Sequence, residues 1–193
     1  IVEGQNCLIP NYSEPLSRDA LLRLSSLGVT VRLNSKIASV NEHFIEFNSG
    51  ERETYDVLVW TTGVRAREMA FTRAMPQDNR GRILVNEHLL ATGDEHVHAL
   101  GDMALVLGTD GKPVPCSAQD AWRQGQYLAY VFECLFYNKK PKPYIPQVHG
   151  FVVSMGGKWA ILDHKGLYLK GLFGSLGDLF AHFRYYRSIL GTV

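Results

Sequence analysis

The hydrophobic residues near the start of the chain follow first a helical and then a β period. Apolar residues recur three and four positions apart between Ser17, a residue type that caps helices, and Gly28, a residue type that ends them. This spacing predicts a short amphipathic helix over 17–28. Residues 29–33 then alternate apolar and polar as a half-buried strand does, and residues 36–55 continue with short β patterns around an Asn-Ser-Gly turn. A small antiparallel meander is expected there.

The next segment reads as buried strands separated by a polar connection. Residues 56–60 consist of an aspartate and four consecutive apolar residues, which is typical of a strand covered on both faces. Because residues 64–82 are polar and irregular, a domain boundary is expected near Gly63. Strand patterns return at residues 83–85 and 96–102, and the second of these ends on a carboxylate. The alternation of helix, meander and covered strand predicts an α/β fold.

A longer helix is predicted to begin at Ser117. Ser117 and Asp120, three positions apart, resemble a capping box. The apolar positions expected on one face of this helix are Ala121, Gly125, Leu128, Phe132, Leu135 and Phe136. A Pro- and Lys-rich stretch at residues 138–143 should end the helix, and a glycine-punctuated β region and an aromatic segment follow. Residues 171–177 are expected to be a flexible join.

Composition and charge exclude several classes of protein. Of the 193 residues, 46% are hydrophobic and 11% aromatic, which excludes disordered, collagen-like and coiled-coil chains. The formal net charge of +1 is too balanced for a nucleic-acid binder. Three cysteines form no CxxC pair, so a disulfide framework is not expected. His96 and His98, with Asp94 nearby in the sequence, share one face of a strand but have no third well-placed ligand, so no metal site is expected either.

The most informative stretch for chemistry is Gly101-Asp102, followed by a loop and the capped helix. Ligands of open α/β sheets bind at the carboxyl ends of strands, where a glycine allows close approach to the backbone. Asp102 can accept hydrogen bonds from polyol or ribose hydroxyls, and a helix N-terminus favours developing negative charge. A flavin has both features, because its ribityl chain carries hydroxyls and its pyrimidine edge gains negative charge on reduction. The alternative is that Asp102 only ends a strand in a turn.

Several motifs in a fixed order resemble those of type II NADH dehydrogenases, in the pyridine nucleotide-disulphide oxidoreductase superfamily. The motifs are Ile1-Val2-Glu3-Gly4 with Leu8-Ile9-Pro10, the element ending in Gly28-Val29, residues 56–63, Ala99-Leu100-Gly101-Asp102 with Pro113-Val114-Pro115, residues 118–125 and the glycine-rich C-terminal region. They cover essentially the whole chain. The resemblance implies an α/β fold of partial FAD- and NAD(P)-binding Rossmann-like domains, of ββα three-layer type, with a small α+β C-terminal region.

The same resemblance divides the chain into three parts. Residues 1–63 correspond to the C-terminal part of an NAD-binding domain, residues 64–143 to the C-terminal part of an FAD-binding domain, and residues 144–193 to a region for membrane association or dimerisation. Neither glycine-rich phosphate-binding motif of the family occurs in the sequence. We therefore expect the C-terminal half of a longer FAD-dependent NADH:quinone oxidoreductase, which by itself would hold little FAD and be inactive.

The resemblance implies positions for the FAD. Gly101 and Asp102 would meet its ribityl or pyrophosphate region, while Ala118 and Gln119 would lie against the isoalloxazine ring. In such enzymes NADH passes hydride to the flavin, and the reduced flavin passes electrons to a membrane quinone. The protein mainly orients the cofactors FAD and NAD and tunes their charge.

Glu3 and Gly63 are the candidates on the NADH side. An acidic residue at the end of the second strand of a nucleotide-binding unit binds ribose hydroxyls and repels a 2′-phosphate, so Glu3 favours NADH over NADPH. The alternative for Glu3 is a solvated surface position. Gly63 resembles the family's hinge glycine between the two cofactor lobes, and a plain turn is its alternative.

Gln119 and Gln124 are the predicted catalytic residues, and Gln124 is the one expected on the acceptor side. The family has two adjacent amide or acidic side chains where this chain has Arg123-Gln124. Gln124 would keep the role, whereas Arg123 introduces a permanent charge and a larger fork of donors. The resemblance implies a quinone as the acceptor, and the charge of Arg123 leaves a soluble compound as the alternative. A solvated helix face is the alternative for Arg123 and Gln124.

The C-terminal segment combines apolar and basic residues. Its apolar positions at spacings of three, four and seven are Leu172, Phe173, Leu176, Leu179, Phe180, Phe183, Tyr186 and Leu190. Residues 139–193 carry eight basic and two acidic side chains. This pattern is typical of a helix on an anionic lipid surface, and the resemblance favours peripheral attachment at the cytoplasmic face of a membrane. Packing against the rest of the protein or against a second copy, as a non-catalytic docking or dimerisation module, is the alternative.

Overall fold

A computed structural model of the chain describes residues 1–10, 12–67, 69, 73–147, 150–164 and 166–191. The helices are α1 (Glu14–Ser26), α2 (Ala118–Phe136) and α3 (Leu172–Ile189). The strands are β1 (Ile37–Val40), β2 (Phe44–Phe47), β3 (Arg52–Thr54), β4 (Ile83–Leu84), β5 (Ala104–Leu105), β6 (Phe151–Ser154), β7 (Ala160–His164) and β8 (Leu167–Gly171). A 3₁₀ turn at Gly101–Met103 precedes β5.

The chain folds as two compact units. The first combines Ile1–Val59 with His149–Val193, and the second contains Trp60–Val148. The sequence divides the chain at residues 63 and 143 according to the cofactor that each part would bind. A division into compact units does not test those boundaries, so they stay a prediction.

Helix α1 begins three residues earlier than the sequence pattern suggested. Its N-cap is Ser13, and Pro15 stands in the first turn, where the missing N–H of proline leaves no helical hydrogen bond unmade. Ser17 therefore lies inside the helix and is buried, so its prediction as the cap was wrong. Gly28 follows the helix in the left-handed conformation, at a φ of 78°, as expected of a residue that ends one.

The predicted meander is confirmed as an antiparallel sheet in the order β1-β2-β3. Ile45 and Phe47 of β2 point into the protein, and Gly50 closes the turn to β3 with a φ of 84°. The strand expected at residues 29–33 is reduced to one parallel bridge, Val2 to Arg32.

The covered strand expected at residues 56–60 is not formed. Val57 and Val59 are 80% and 76% exposed, and no strand in the described ranges pairs with this run. Consecutive apolar residues form a covered strand only where neighbouring strands and layers flank them. That condition depends on tertiary contacts and is not visible in the local sequence.

The second unit is organised around the parallel pair β4 and β5 and a core of small and branched side chains. This core contains Ile83, Leu89, Ala91, Ala99, Ala104 and Val106. The strand predicted at residues 96–102 is reduced to a bridge between Leu90 and His98, and it gives way to the 3₁₀ turn. Gly101 has a φ of 62°, which ends any extended ladder at that point.

Helix α2 confirms the predicted start but not the predicted face. Ser117 caps it by accepting a hydrogen bond from the Asp120 N–H at 3.1 Å. Its buried residues are Asp120, Gln124, Leu128, Val131 and Cys134. Leu128 is the only predicted position in that set, and Phe132, Leu135 and Phe136 are exposed. The buried face includes two polar residues because each of them has a polar partner inside the protein.

The C-terminal part of the first unit is an antiparallel sheet in the order β6-β7-β8, against which α3 packs. The join predicted at residues 171–177 is wrong, since α3 begins at Leu172 directly after Gly171. Gly174 and Gly177 explain the close packing. A Cβ on Gly174 would overlap the backbone oxygen of Ala160, and one on Gly177 would overlap the Leu162 side chain. Among the described helices, none combines the length and apolar character that crossing a bilayer requires.

Candidate functional site

The 3₁₀ turn that carries Asp102 packs on the beginning of α2. The Gly101 N–H donates a hydrogen bond of 2.6 Å to Oε1 of Gln124. A Cβ on Gly101 would lie 3.4 Å from the Cβ of Ala121, so the turn and the helix are in direct contact. Asp102 itself is exposed. The structure therefore brings together the turn that carries Asp102 and the helix start that the sequence pointed to.

The first turn of α2 presents backbone donors. Ala118 and Gln119 are both exposed, and as the first residues of a helix their N–H groups have no acceptor within it. The buried Asp120 carboxylate accepts a hydrogen bond of 2.5 Å from the Ser117 hydroxyl. The capping pair thus fixes the helix start, and the exposed residues Ala118 and Gln119 carry N–H groups of the kind that bind an anionic group at a helix N-terminus.

Glu3 ends an extended segment that runs parallel to residues 30–32. Its backbone N–H donates to the Arg32 carbonyl at 2.8 Å, and its carbonyl accepts from the Ser35 N–H at 2.9 Å. One carboxylate oxygen, Oε1, accepts the Gln5 N–H at 2.9 Å. This bond holds the carboxylate in place and leaves the second oxygen to accept a hydroxyl hydrogen bond.

A polar cleft of about 710 Å³ lies next to this segment in the first unit. Its lining includes Gly4, Gln5, Asn34, Lys36 and Asn48. The amide groups of this lining can bind sugars and bases through hydrogen bonds, and the Lys36 ammonium adds a positive charge.

Arg32 also lines the cleft, but its charge is neutralised locally. Its guanidinium contacts Glu51 at 2.6 Å and Glu53 at 2.8 Å. The hydrogen bond from Arg32 lowers the pKa of Glu51, so that carboxylate stays ionised and keeps the arginine engaged. Arg32 is therefore a poor candidate for binding a phosphate of the ligand.

Gly63 has a φ of 109°, a conformation that favours glycine, and nothing lies within 4 Å of where its Cβ would be. The backbone conformation, rather than close packing against this chain, is what requires a glycine here. Thr61 and Gly63 are both exposed.

The two predicted catalytic residues lie on different faces of α2. Gln119 is exposed, whereas Gln124 is 3% exposed and directs its side-chain oxygen to Gly101. Trp122, Arg123 and Gln126 follow Gln119 at intervals of three, four and seven, so these residues share the Gln119 face.

A shallow cavity of about 320 Å³ adjoins that face, and sequence reasoning did not identify it. It is lined by Trp122, Arg123, Gln126, Tyr144, Ile145 and Gln147. Arg123 Nη1 donates to Gln147 Oε1 at 3.1 Å, and burial raises the pKa of Tyr144. The helical spacing from Gln119 was the available signal for Trp122 and Gln126, but nothing local indicated that Tyr144 and Gln147 would join them.

The described ranges contain neither a cluster of metal-ligand side chains nor a disulfide. No group of three or more His, Cys, Asp or Glu side chains there is placed to hold a metal ion. The thiols of Cys7, Cys116 and Cys134 are free.

Comparison with known proteins identifies the family to which this chain belongs. The sequence model of the pyridine nucleotide-disulphide oxidoreductase family matches residues 1–125, and the chain belongs to that family. It is 28% identical over 176 residues to a probable NADH dehydrogenase of Dictyostelium discoideum, covering 90% of this chain and 38% of that protein. It is 30% identical over 162 residues to a type II NADH:quinone oxidoreductase of Haemophilus influenzae, covering 83% of this chain and 36% of that protein.

The fold agrees with a solved structure of NDH2 from Plasmodium falciparum in complex with NADH. The TM-score is 0.82 at 19% identity, over 96% of this chain and 54% of that one. The resemblance to type II NADH dehydrogenases and the predicted α/β fold of partial cofactor-binding domains are thereby confirmed. The chain spans less than two fifths of the length of the two curated relatives.

Proposed function

We propose that this chain closes the flavin site and binds the nucleotide in an FAD-dependent NADH dehydrogenase that passes electrons to a quinone. The observation that carries the proposal is the contact between the Gly101–Met103 turn and the start of α2, with the hydrogen bond from Gly101 to Gln124. Family membership and the names of the relatives support it. Membership of the pyridine nucleotide-disulphide oxidoreductase family supports FAD and NAD as the cofactors.

The residues at this contact fit FAD. The exposed Asp102 carboxylate would accept hydrogen bonds from ribityl or ribose hydroxyls, and the Ala118 and Gln119 N–H groups would face an electron-rich ring edge. A helix N-terminus stabilises a nearby anion by about 0.3–1 kcal/mol. Bound FAD supplies hydride acceptance and electron transfer, chemistry that amino-acid side chains lack. The chain itself binds, orients and sets the charge of the site.

For the nucleotide, we propose that Glu3 binds the ribose hydroxyls of NADH. Its fixed Oε1 and its position at the end of a paired extended segment support this role. Gly63 is proposed to lie where a cofactor passes, because its exposed backbone carries no side chain.

On the acceptor side, we propose that Gln119 contacts the quinone. Its exposure and its shared face with Trp122 support this assignment. The Arg123 guanidinium and the cavity beside it favour acceptors with oxygen atoms that take hydrogen bonds, so a polar soluble acceptor is the second candidate. Contact of Gln124 with the acceptor stays a prediction, and its burial favours the contact with Gly101 inside the protein.

For location, we propose peripheral attachment through α3 to the anionic cytoplasmic face of a membrane. The eight apolar residues named from the sequence are each more than half exposed. The helix packs on the sheet through its other side, which carries Gly174 and Gly177. Arg184 and Arg187 add positive charge to the same helix. A dimer contact through this surface is the competing outcome.

The test is NADH oxidation by the complete polypeptide that contains these residues, assayed with a quinone and with a soluble acceptor. Wild-type protein and the Asp110→Ala control should be active, while Asp102→Ala should lose most of its activity. Asp110 is a fair control because it is an exposed carboxylate in a turn of the same unit. Absence of NADH oxidation with every acceptor would contradict the proposal. A preference for the soluble acceptor would contradict only the quinone as the electron acceptor and would leave NADH oxidation through FAD in place.

A further inference from the structure

We infer that Gln124 is a positioning residue for the flavin site, which holds the Gly101–Asp102 turn against α2. This inference rests on the proposed function. Gln124 lies on the buried face of the helix with Leu128 and Val131, and its side chain is 3% exposed. A buried amide is costly unless it is hydrogen-bonded. Its Oε1 accepts the Gly101 N–H at 2.6 Å, a bond between residues 23 positions apart in the sequence.

The bond is needed because of the conformation of the turn. Leu100, the residue before the 3₁₀ turn, provides no side-chain cap. Gly101 is left-handed, so its N–H is outside any strand ladder. Gln124 therefore supplies the hydrogen-bond acceptor that neither a side-chain cap nor a strand ladder provides. The turn also lies against Ala121, one helical turn before Gln124.

The consequence concerns two groups that would bind the flavin together. Asp102 follows Gly101 directly, and Ala118 lies six residues before Gln124, about 9 Å along the helix axis. Because the hydrogen bond joins the turn to the helix, the carboxylate of one and the N–H donors of the other are held as a single preorganised unit. Preorganisation raises affinity by reducing the ordering needed on binding.

This role differs measurably from contact with the acceptor. A residue that touches the acceptor changes the acceptor KM, whereas a residue that positions the flavin-binding groups changes FAD affinity. A residue that is only structural changes the unfolding temperature and neither of these quantities.

The experiment compares Gln124→Met, Gln124→Asn and Gln124→Glu in the complete polypeptide. Methionine keeps the length and apolar volume but offers only a weak sulfur acceptor, asparagine keeps the amide but is one methylene too short, and glutamate keeps an oxygen in reach. The measurements are hydrogen exchange of the Gly101 amide, the FAD dissociation constant and the acceptor KM. The first of these needs no cofactor.

We expect Gln124→Met and Gln124→Asn to speed exchange at Gly101 and to weaken FAD binding about tenfold, with the acceptor KM unchanged. Gln124→Glu should stay within about threefold of wild type. Since Gln124→Asn retains a polar side chain, it keeps the test open if Gln124→Met does not fold. Wild-type protein without FAD affinity would overturn the proposed function and this inference together. Unchanged FAD binding in both Gln124→Asn and Gln124→Met, or a raised acceptor KM as the only change, would overturn the positioning role and leave the proposed function standing.

Discussion

Tyr168 on β8 donates its hydroxyl hydrogen to the Asp19 carboxylate on α1 at 2.8 Å, and so joins elements 149 residues apart. Lys170 adds contacts of 3.1 Å to the same carboxylate. Tyr168→Phe removes one neutral-to-charged hydrogen bond and should lower stability by about 1.5–3 kcal/mol. The thermal midpoint should fall by several degrees, since each kcal/mol shifts it by about 2–4 °C at this size. An unchanged midpoint would show that the bond adds nothing.

The same pair predicts a loss of stability at high pH. Burial, with the hydrogen bond to Asp19, raises the pKa of Tyr168 to about 12 from its usual value near 10. The unfolded tyrosine therefore loses its proton first, so the contribution is present below about pH 10 and is lost as pH rises toward 12. Tyr168→Phe should flatten the pH dependence of the unfolding free energy in this window. An identical slope in the variant would contradict this assignment.

Glu3→Gln should shift nucleotide preference. Removing the carboxylate removes its repulsion of a 2′-phosphate, so the ratio of kcat/KM for NADH to that for NADPH should fall by about tenfold or more. Glu42→Gln is the control, since Glu42 is an exposed residue in the turn between β1 and β2 of the same unit. If Glu3→Gln leaves the ratio unchanged, Glu3 does not lie at the ribose.

Two glycine substitutions should change stability in opposite directions. Gly174→Ala would place a Cβ against the Ala160 backbone and should cost about 1–3 kcal/mol of folding free energy. Gly125→Ala lies in the middle of α2, where a Cβ would meet nothing within 4 Å, and should stabilise by about 0.5–1 kcal/mol. Urea unfolding of both variants provides the measurement. A neutral Gly174→Ala would mean that α3 does not lie so closely on the sheet.

Membrane attachment should depend on the outer face of α3. Phe180→Asp with Phe183→Asp removes two exposed aromatic side chains, each worth about 1.5–3 kcal/mol when buried. Partitioning onto anionic lipid vesicles should fall at least about a hundredfold.

The matched control for this test is Phe132→Asp with Phe136→Asp, which removes exposed aromatic residues from α2 in the other compact unit. That variant should still bind the vesicles. Wild-type protein that does not sediment with them, but dimerises through α3 in ultracentrifugation, would exclude the membrane and support the second copy.

Local patterns predicted the parts of the fold that local interactions determine. Ser117 and Asp120 identified the start of α2 because a capping box needs only residues three apart. The run at residues 56–60 failed because burial of a strand depends on distant neighbours. The resemblance assigned Gln124 to the acceptor side, with a solvated helix face as the alternative. Neither interpretation indicated its burial, because its partner Gly101 is 23 residues away in the sequence. Motif order, rather than periodicity, located Asp102 near that helix.

Whether Asp102 belongs to a flavin site is tested directly by titrating FAD into the complete polypeptide, followed by flavin fluorescence, for wild type, Asp102→Ala and Asp110→Ala. We expect saturable binding of one FAD per chain for wild type and Asp110→Ala, and an affinity lowered at least about tenfold by Asp102→Ala, because a charged hydrogen-bond acceptor is lost. Equal FAD affinity in all three proteins, or no saturable binding in any, would contradict it.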